Sequence, residues 1–330
     1  MKGLFIVERG RLGMLELPMP KLGPFDALVR VLACGICNST DRKLMELEFC
    51  PGPLPALLGH ESVGEVVGVG DRVTSFRQGD LVFRPGLTDE QVGLAGARSA
   101  WGGFAEFGIV RDAWAERGTA YNAFPHPQQI VPHGTDPCLA VAMITLKETM
   151  SCLRSTDIPP KGSLGIVGSG PVAEALTRLA SLNGISPIIV MGRNPVHQER
   201  FLRAGAAVYA ADGSMPPCGP LDRVIEAVGS RSALRRALEV CKPEGRVNVY
   251  GVPPESEPFA ADDMRDPRVF VGKVAEAEEH DLLAHWIGRG DIRLTDWVDA
   301  VLPWTEYAIG FDLINRRRAR KVVLRIGSAP

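Results

Sequence analysis

The stretch Ser163 to Ala173, reading Ser-Leu-Gly-Ile-Val-Gly-Ser-Gly-Pro-Val-Ala, limits what this chain can fold into more than any other. Leu164, Ile166 and Val167 form a short apolar run suited to a strand buried on both faces. Gly168 permits a sharp turn, Gly170 lets a phosphate approach the backbone, and Ala173 is small enough for a following helix to pack close to the strand. Pro171 and Val172 open that helix, whose free amides would hold a pyrophosphate. Such glycine turns are common, so the flanking pattern has to decide. A helical segment, Glu174 to Asn183, leads to a second apolar strand, Ile188 to Met191, inside the ~30 residues of a βαβ unit. The pattern predicts a dinucleotide-binding α/β domain.

The chain has 330 residues, enough for two domains with separate cores. A net charge of -2 offers no field for steering nucleic acid or an anionic membrane, so neither is expected as a partner. The basic run Arg316 to Lys321 lacks interleaved aromatics and reads as a solvated helix end. No long apolar run exists, and the apolar part of Met1 to Gly10 is too short for a signal peptide, which predicts a cytoplasmic protein. The 7 cysteines are odd in number and irregularly spaced, which argues against a disulfide framework and leaves thiols for metal.

Before the turn, Gly3 to Val7 and Ala27 to Leu32 read as strands separated by Pro18, Pro20, Gly23 and Pro24. They lead into Cys34-Gly-Ile-Cys37-Asn-Ser39-Thr40-Asp41, then Gly59-His60-Glu61, then Val63 to Gly70 and Val73 to Val82 with a turn at Gly79-Asp80. The segments 86–100 and 119–137 read as loops. Taken with Trp101 to Phe107, Asp222 to Gly229, Pro243 to Gly251, Gly310-Phe-Asp-Leu and Lys321-Val-Val-Leu324, these motifs resemble the zinc-dependent medium-chain alcohol dehydrogenase family. The resemblance runs nearly the whole chain in family order, with a polyol or threonine dehydrogenase-like cast. It implies an α/β protein with a GroES-like, β-rich catalytic domain from 1–150 and 274–330 around an inserted Rossmann domain, a doubly wound parallel sheet, at 151–273. Alternating short strands and helical segments from 163 to 273 support that sheet independently.

Zinc takes thiolate, imidazole and carboxylate ligands, and Cys37, His60 and Glu61 supply one of each. A lone cysteine and a lone histidine are more often core residues; the bracketing family motifs favour ligation. By resemblance, Asp41 orients the imidazole from behind, Thr40 or Ser39 relays the alcohol proton, and Lys43 stands where many relatives carry a histidine. Lys43 reads equally as a relay group or as an ordinary solvated charge. The usual third ligand falls near Val141, which cannot bind metal. Asp136, Cys138 and Glu148 lie nearby, and the polyol-type set, with Glu61 as the ligand, is favoured. Thr145 is expected to face the nicotinamide and Lys321 to lie near the pyrophosphate. No cysteine lies between Gly86 and Trp101, so one zinc per chain is expected, without the four-cysteine structural zinc. Cys34 reads as buried structure.

At the end of the second strand an acid normally accepts the ribose 2′-hydroxyl of NAD. Here Gly192-Arg193-Asn194 occupies that place, and Arg193 suits a 2′-phosphate, so NADP is favoured over NAD. The leading expectation is a zinc-dependent NADP(H) oxidoreductase of a small alcohol or carbonyl compound, a sugar, polyol or amino alcohol by resemblance. A zinc-free NADPH reductase of quinones or enones and a non-catalytic dinucleotide-binding protein remain as alternatives. Analogy implies a homodimer or homotetramer.

Overall fold

The computed structural model describes residues 1–118, 129–211 and 219–327. Cys218 and most of the loop expected at 119–137 lie outside them. The chain divides into two compact units, Met1–Thr145 with His280–Pro330, and Leu146–Glu279.

In chain order the first unit begins with β1 (Lys2–Glu8), β2 (Arg11–Glu16), β3 (Asp26–Ile36), α1 (Thr40–Met45), β4 (Ala56–Leu57) and β5 (Glu61–Val69). It continues through β6 (Leu81–Phe83), α2 (Asp89–Val92), β7 (Arg98–Ser99), β8 (Phe107–Arg111) and α3 (Ala113–Arg117) to α4 (Pro137–Ser155), whose later turns belong to the second unit. The second unit then holds β9 (Leu164–Val167), α5 (Pro171–Leu182), β10 (Ile188–Met191), α6 (Gln198–Ala204), β11 (Val208–Ala210), β12 (Leu221–Glu226), α7 (Arg231–Val240), β13 (Cys241–Val249), α8 (Ala261–Arg265) and β14 (Val269–Phe270). The chain re-enters the first unit with α9 (His280–Arg289), β15 (Ala300–Pro303), α10 (Tyr307–Asn315) and β16 (Val322–Arg325).

The second unit is a parallel sheet in the order β11-β10-β9-β12-β13-β14. Strands β9 and β10 are buried along their whole length, as their uninterrupted apolar residues require when helices cover both faces. The order reverses between β9 and β12, and in open sheets of this kind ligands bind outside the carboxyl ends of the strands at such a reversal. The doubly wound parallel sheet expected from the sequence is therefore present.

The first unit is β-rich. Its larger sheet runs β15-β16-β3-β5-β6, with β8 also pairing β3. Strand β3 alternates buried and less buried residues in its first half and is fully buried over its last four. It bonds antiparallel to β5 with Gly35 opposite Glu61, and to β16 with Ile36 opposite Val322. That register brings the residue after β3, the first residue of β5 and the residue before β16 to one end of the sheet: Cys37, Glu61 and Lys321. A Cβ at position 35 would lie 2.5 Å from a Glu61 oxygen and 2.6 Å from Val141, so glycine is what lets the carboxylate pack there.

One loop expectation needs correction. The segment 86–100 contains α2, which Thr88 and Gln91 start with a reciprocal capping box, and the short strand β7. In the segment Val73 to Val82 strand β6 begins only at Leu81, after the turn expected at Gly79-Asp80, because Asp80 and Asp112 draw the preceding backbone into turns.

Candidate metal centre and dinucleotide turn

Cys37 Sγ, a ring nitrogen of His60 and a carboxylate oxygen of Glu61 lie within 4.8 Å of one another. They form the one group of this kind among the described residues. Asp41 faces the imidazole from behind, with Oδ1 3.3 Å from His60 Nδ1, while its Oδ2 accepts the Cys37 amide at 2.8 Å. These buried Oδ1 and Nδ1 atoms have no other partner. A proton on Nδ1 directed at Asp41 leaves the lone pair of Nε2 free on the other side, 3.9 Å from Glu61 Oε1. Arg84, buried and in the left-handed region at φ 57, donates to the His60 carbonyl.

Neighbouring charges set the ionisation of these donors. Burial disfavours the charged form of His60, but the Asp41 carboxylate and Cys37 outweigh it, and the imidazole pKa stands well above its usual value. Burial likewise opposes ionisation of Glu61, and the Lys321 ammonium, with help from His60 and Arg84, still holds it below the usual carboxylate range. Thiolate, imidazole and carboxylate at this spacing are ligands of the kinds zinc takes, with a position left for water or substrate, so the residues fit the metal.

The expected alternatives for the third ligand stand elsewhere. Asp136 accepts the amides of Cys138 and Leu139 at the start of α4. Burial raises the Cys138 thiol, opposed by Arg325. Neither they nor Glu148 joins the convergent group. Val141 and Cys34 are fully buried.

Ser39, the residue before α1, makes no capping bond; its Oγ instead accepts from Lys43 Nζ at 3.1 Å. Lys43 is only 6% exposed, which removes the reading as an ordinary solvated charge. The Thr40 amide points at Cys37 Sγ at 3.5 Å.

Lys321, expected near the pyrophosphate, donates through Nζ to Glu61 Oε2 and, at 3.3 Å, to Thr145 Oγ1. A buried ammonium takes the nearest carboxylate, since leaving either charge unpaired is costly. Thr145, expected at the nicotinamide, donates to Glu61 Oε1 at 3.3 Å.

In the second unit, Gly168 turns the chain at φ +136 and Gly170 precedes α5, with Pro171 in its first turn. A side chain at Gly170 would meet nothing within 4 Å, so the backbone there is open to a ligand, while Ala173 is packed away. The amides opening this helix fit a pyrophosphate. At the end of β10 a Cβ on Gly192 would fall 2.0 Å from the Tyr209 hydroxyl oxygen. That hydroxyl donates to the Asn194 carbonyl at 2.8 Å. Arg200 donates to the Ser169 carbonyl at 3.0 Å and pairs with Glu174 at 3.3 Å. Tyr209 and Arg200 gave no sequence signal, and Arg193 is exposed.

A reversed parallel sheet with a glycine turn, and a β-rich unit with a thiolate, imidazole and carboxylate converging, define a nucleotide-dependent oxidoreductase. The alcohol dehydrogenase GroES-like domain family matches residues 23–117. The NADP-dependent isopropanol dehydrogenase of Thermoanaerobacter brockii is 30% identical over 286 residues, 76% of this chain and 76% of that protein. Alcohol dehydrogenase TADH from Thermus sp. ATN1 superposes with TM-score 0.80 at 26% identity, covering 99% of this chain and 100% of the other. Galactitol-1-phosphate dehydrogenase of Escherichia coli shares the fold, with TM-score 0.79 at 16% identity over 99% of this chain and 100% of the other. This chain belongs to the zinc-type medium-chain alcohol dehydrogenase family. It is an oxidoreductase acting on small alcohol or carbonyl substrates.

Among the described residues, no helix is long and apolar enough to cross a membrane.

Proposed function

We propose that this enzyme interconverts a small alcohol and its carbonyl compound with NADP(H), with one zinc ion held by Cys37, His60 and Glu61. The observation that carries the reading is the convergence of those three donors within 4.8 Å, with Asp41 behind the histidine. Zinc at such a site supplies Lewis acidity toward the substrate oxygen. Asp41 fixes the imidazole so that its Nε2 lone pair would be free to hold zinc, and Lys321 holds one Glu61 oxygen while the other is turned toward His60. The alcohol proton passes to a hydroxyl near Cys37. Ser39 suits this better than Thr40, because its Oγ is already bonded to Lys43, which as a neutral amine takes the proton during oxidation and as an ammonium returns it during reduction.

Gly168, Gly170, Pro171 and Val172 present the amides for the pyrophosphate. Gly192 with Arg193 and Asn194 leaves no acid at the ribose, and Arg193 supplies charge for a 2′-phosphate. The name of the Thermoanaerobacter relative, an NADP-dependent dehydrogenase, points the same way. The zinc-free reductase reading loses its support, since it assigns no role to the convergent donors.

Metal analysis of gently purified protein, with turnover of an alcohol panel on NADP⁺ and NAD⁺, tests the proposal. About one zinc per chain and turnover abolished by chelation are expected. Zinc below about 0.2 per chain with chelator-insensitive turnover would overturn it.

A further inference from the structure

We infer that the substrate carries a planar apolar group, aryl or allylic, next to its hydroxyl-bearing carbon, and that Phe49 and Trp101 are the residues that select it. The inference rests on the metal-site reading above, and only its substrate class is new. The Trp101 ring lies 5.5 Å from the His60 ring and is tilted 53° to it, and it also stacks on Phe49 at 6.2 Å and 12°. Phe49 and Trp101 are partly exposed and, with Met45 and Leu54, pack onto the buried core of this unit. The candidate metal ligand His60 therefore has the Trp101 ring beside it, with Phe49 stacked on that ring.

Trp101 also stands in a backbone conformation that a bulky residue adopts only under strain, φ 72. Its carbonyl is pinned by the Leu87 amide at 3.2 Å, and a Cβ at Gly86 would lie 2.3 Å from the same oxygen. If position 101 served the turn alone, glycine or asparagine would fill it without strain. An indole held there against its preference and set beside His60 serves the ring. A polyhydroxylated chain laid on this wall would leave hydroxyls facing ring carbons without partners, at a loss of roughly tenfold or more for each. The polyol expectation, which rested on the ligand set and the family resemblance, is therefore not the one these side chains favour.

The test uses zinc-loaded full-length enzyme. Rates for benzyl alcohol, ethanol and erythritol are measured on wild type, Trp101→Leu, Trp101→Phe and Phe49→Ala, with thermal unfolding and zinc content recorded for each. Wild type is expected to favour benzyl alcohol over erythritol by about 100-fold in kcat/KM. The benzyl-to-ethanol ratio should fall about tenfold in Trp101→Leu and Phe49→Ala and be largely kept in Trp101→Phe. Erythritol turned over as well as benzyl alcohol, or an unchanged benzyl-to-ethanol ratio in both truncated variants, overturns the inference while leaving the zinc enzyme intact. Calorimetric titration of benzyl alcohol into the loaded protein is the readout independent of turnover. Binding by wild type that is lost in Trp101→Leu supports the wall even if no alcohol is oxidised, and absence of binding by wild type sinks it.

Discussion

Lys321 and Glu61 stand 260 residues apart in the chain, and the ammonium of one donates to the carboxylate of the other at the buried end of the β-rich sheet. The pairing follows from register: Gly35 lies opposite Glu61 on one side of β3, and Ile36 opposite Val322 on the other. The same ammonium that satisfies Glu61 repels any cation brought to Cys37 and His60.

Lys321→Met should therefore separate two effects. In the metal-free protein it strands a buried carboxylate, and removing one partner of such a pair costs on the order of 3 kcal/mol. With zinc bound, Glu61 gains a cation to face and the loss should shrink. Thermal unfolding with and without chelator measures both arms. Equal destabilisation in the two states would show that Lys321 acts independently of the metal centre.

Asp41→Asn tests the positioning of His60. Loss of an outer-shell carboxylate typically weakens metal affinity about 10- to 100-fold. Competition with a chromophoric chelator reads that directly, and Cys37→Ser sets the scale for loss of a ligand. Unchanged affinity in Asp41→Asn would mean that the 3.3 Å contact does not orient the ring.

Much of this architecture is legible in the sequence, for physical reasons. Strands such as Ile188–Met191 are continuous apolar runs, and the glycine turn names its own strand and helix. Cys37, His60 and Glu61 could be read because their side chains are chemically distinctive and sit in short motifs. The Lys321–Glu61 pair could not be read, because it is set by pairing between strands far apart in the chain, and no local pattern encodes that. Arg84 and Trp101 take left-handed backbone that their residue types do not advertise. The lack of an acid at Gly192 could be read locally, but not that Tyr209 fills the space.

The Gly192 contact makes cofactor choice harder to reverse than the motif suggests. Gly192→Asp introduces a Cβ 2.0 Å from the Tyr209 oxygen, so the side chain cannot settle where a ribose hydroxyl would find it. The single substitution should destabilise the nucleotide-binding unit by about 1–3 kcal/mol and leave NADP preferred. Gly192→Asp with Tyr209→Ala should restore stability and move the NAD-to-NADP ratio of kcat/KM toward NAD by tenfold or more. Arg200→Ala should loosen the glycine turn it holds through Ser169 and raise KM for both cofactors together. A rise for NADP alone would make Arg200 a phosphate ligand.

Acid stability of the same unit should depend on Asp222. Its Oδ1 receives Lys242 at 2.6 Å, and its Oδ2 receives the Ser163 amide at 2.9 Å and hydroxyl at 2.8 Å. The Lys242 bond first, then Ser163, lower its pKa from 3.8 to about 2. A carboxylate depressed on folding stabilises the native state fully above its unfolded pKa, and that contribution is lost as pH falls through the folded one. The window is therefore about pH 4 down to about pH 2. Because the side chain is 26% exposed, solvent screening reduces the contribution to on the order of 1 kcal/mol. Asp222→Asn should lower stability at pH 7 by about that amount and flatten this part of the acid limb. Denaturant unfolding followed at pH 7, 4 and 2.5 checks it. Parallel acid limbs for the variant and wild type would show that Asp222 titrates alike in the folded and unfolded chains.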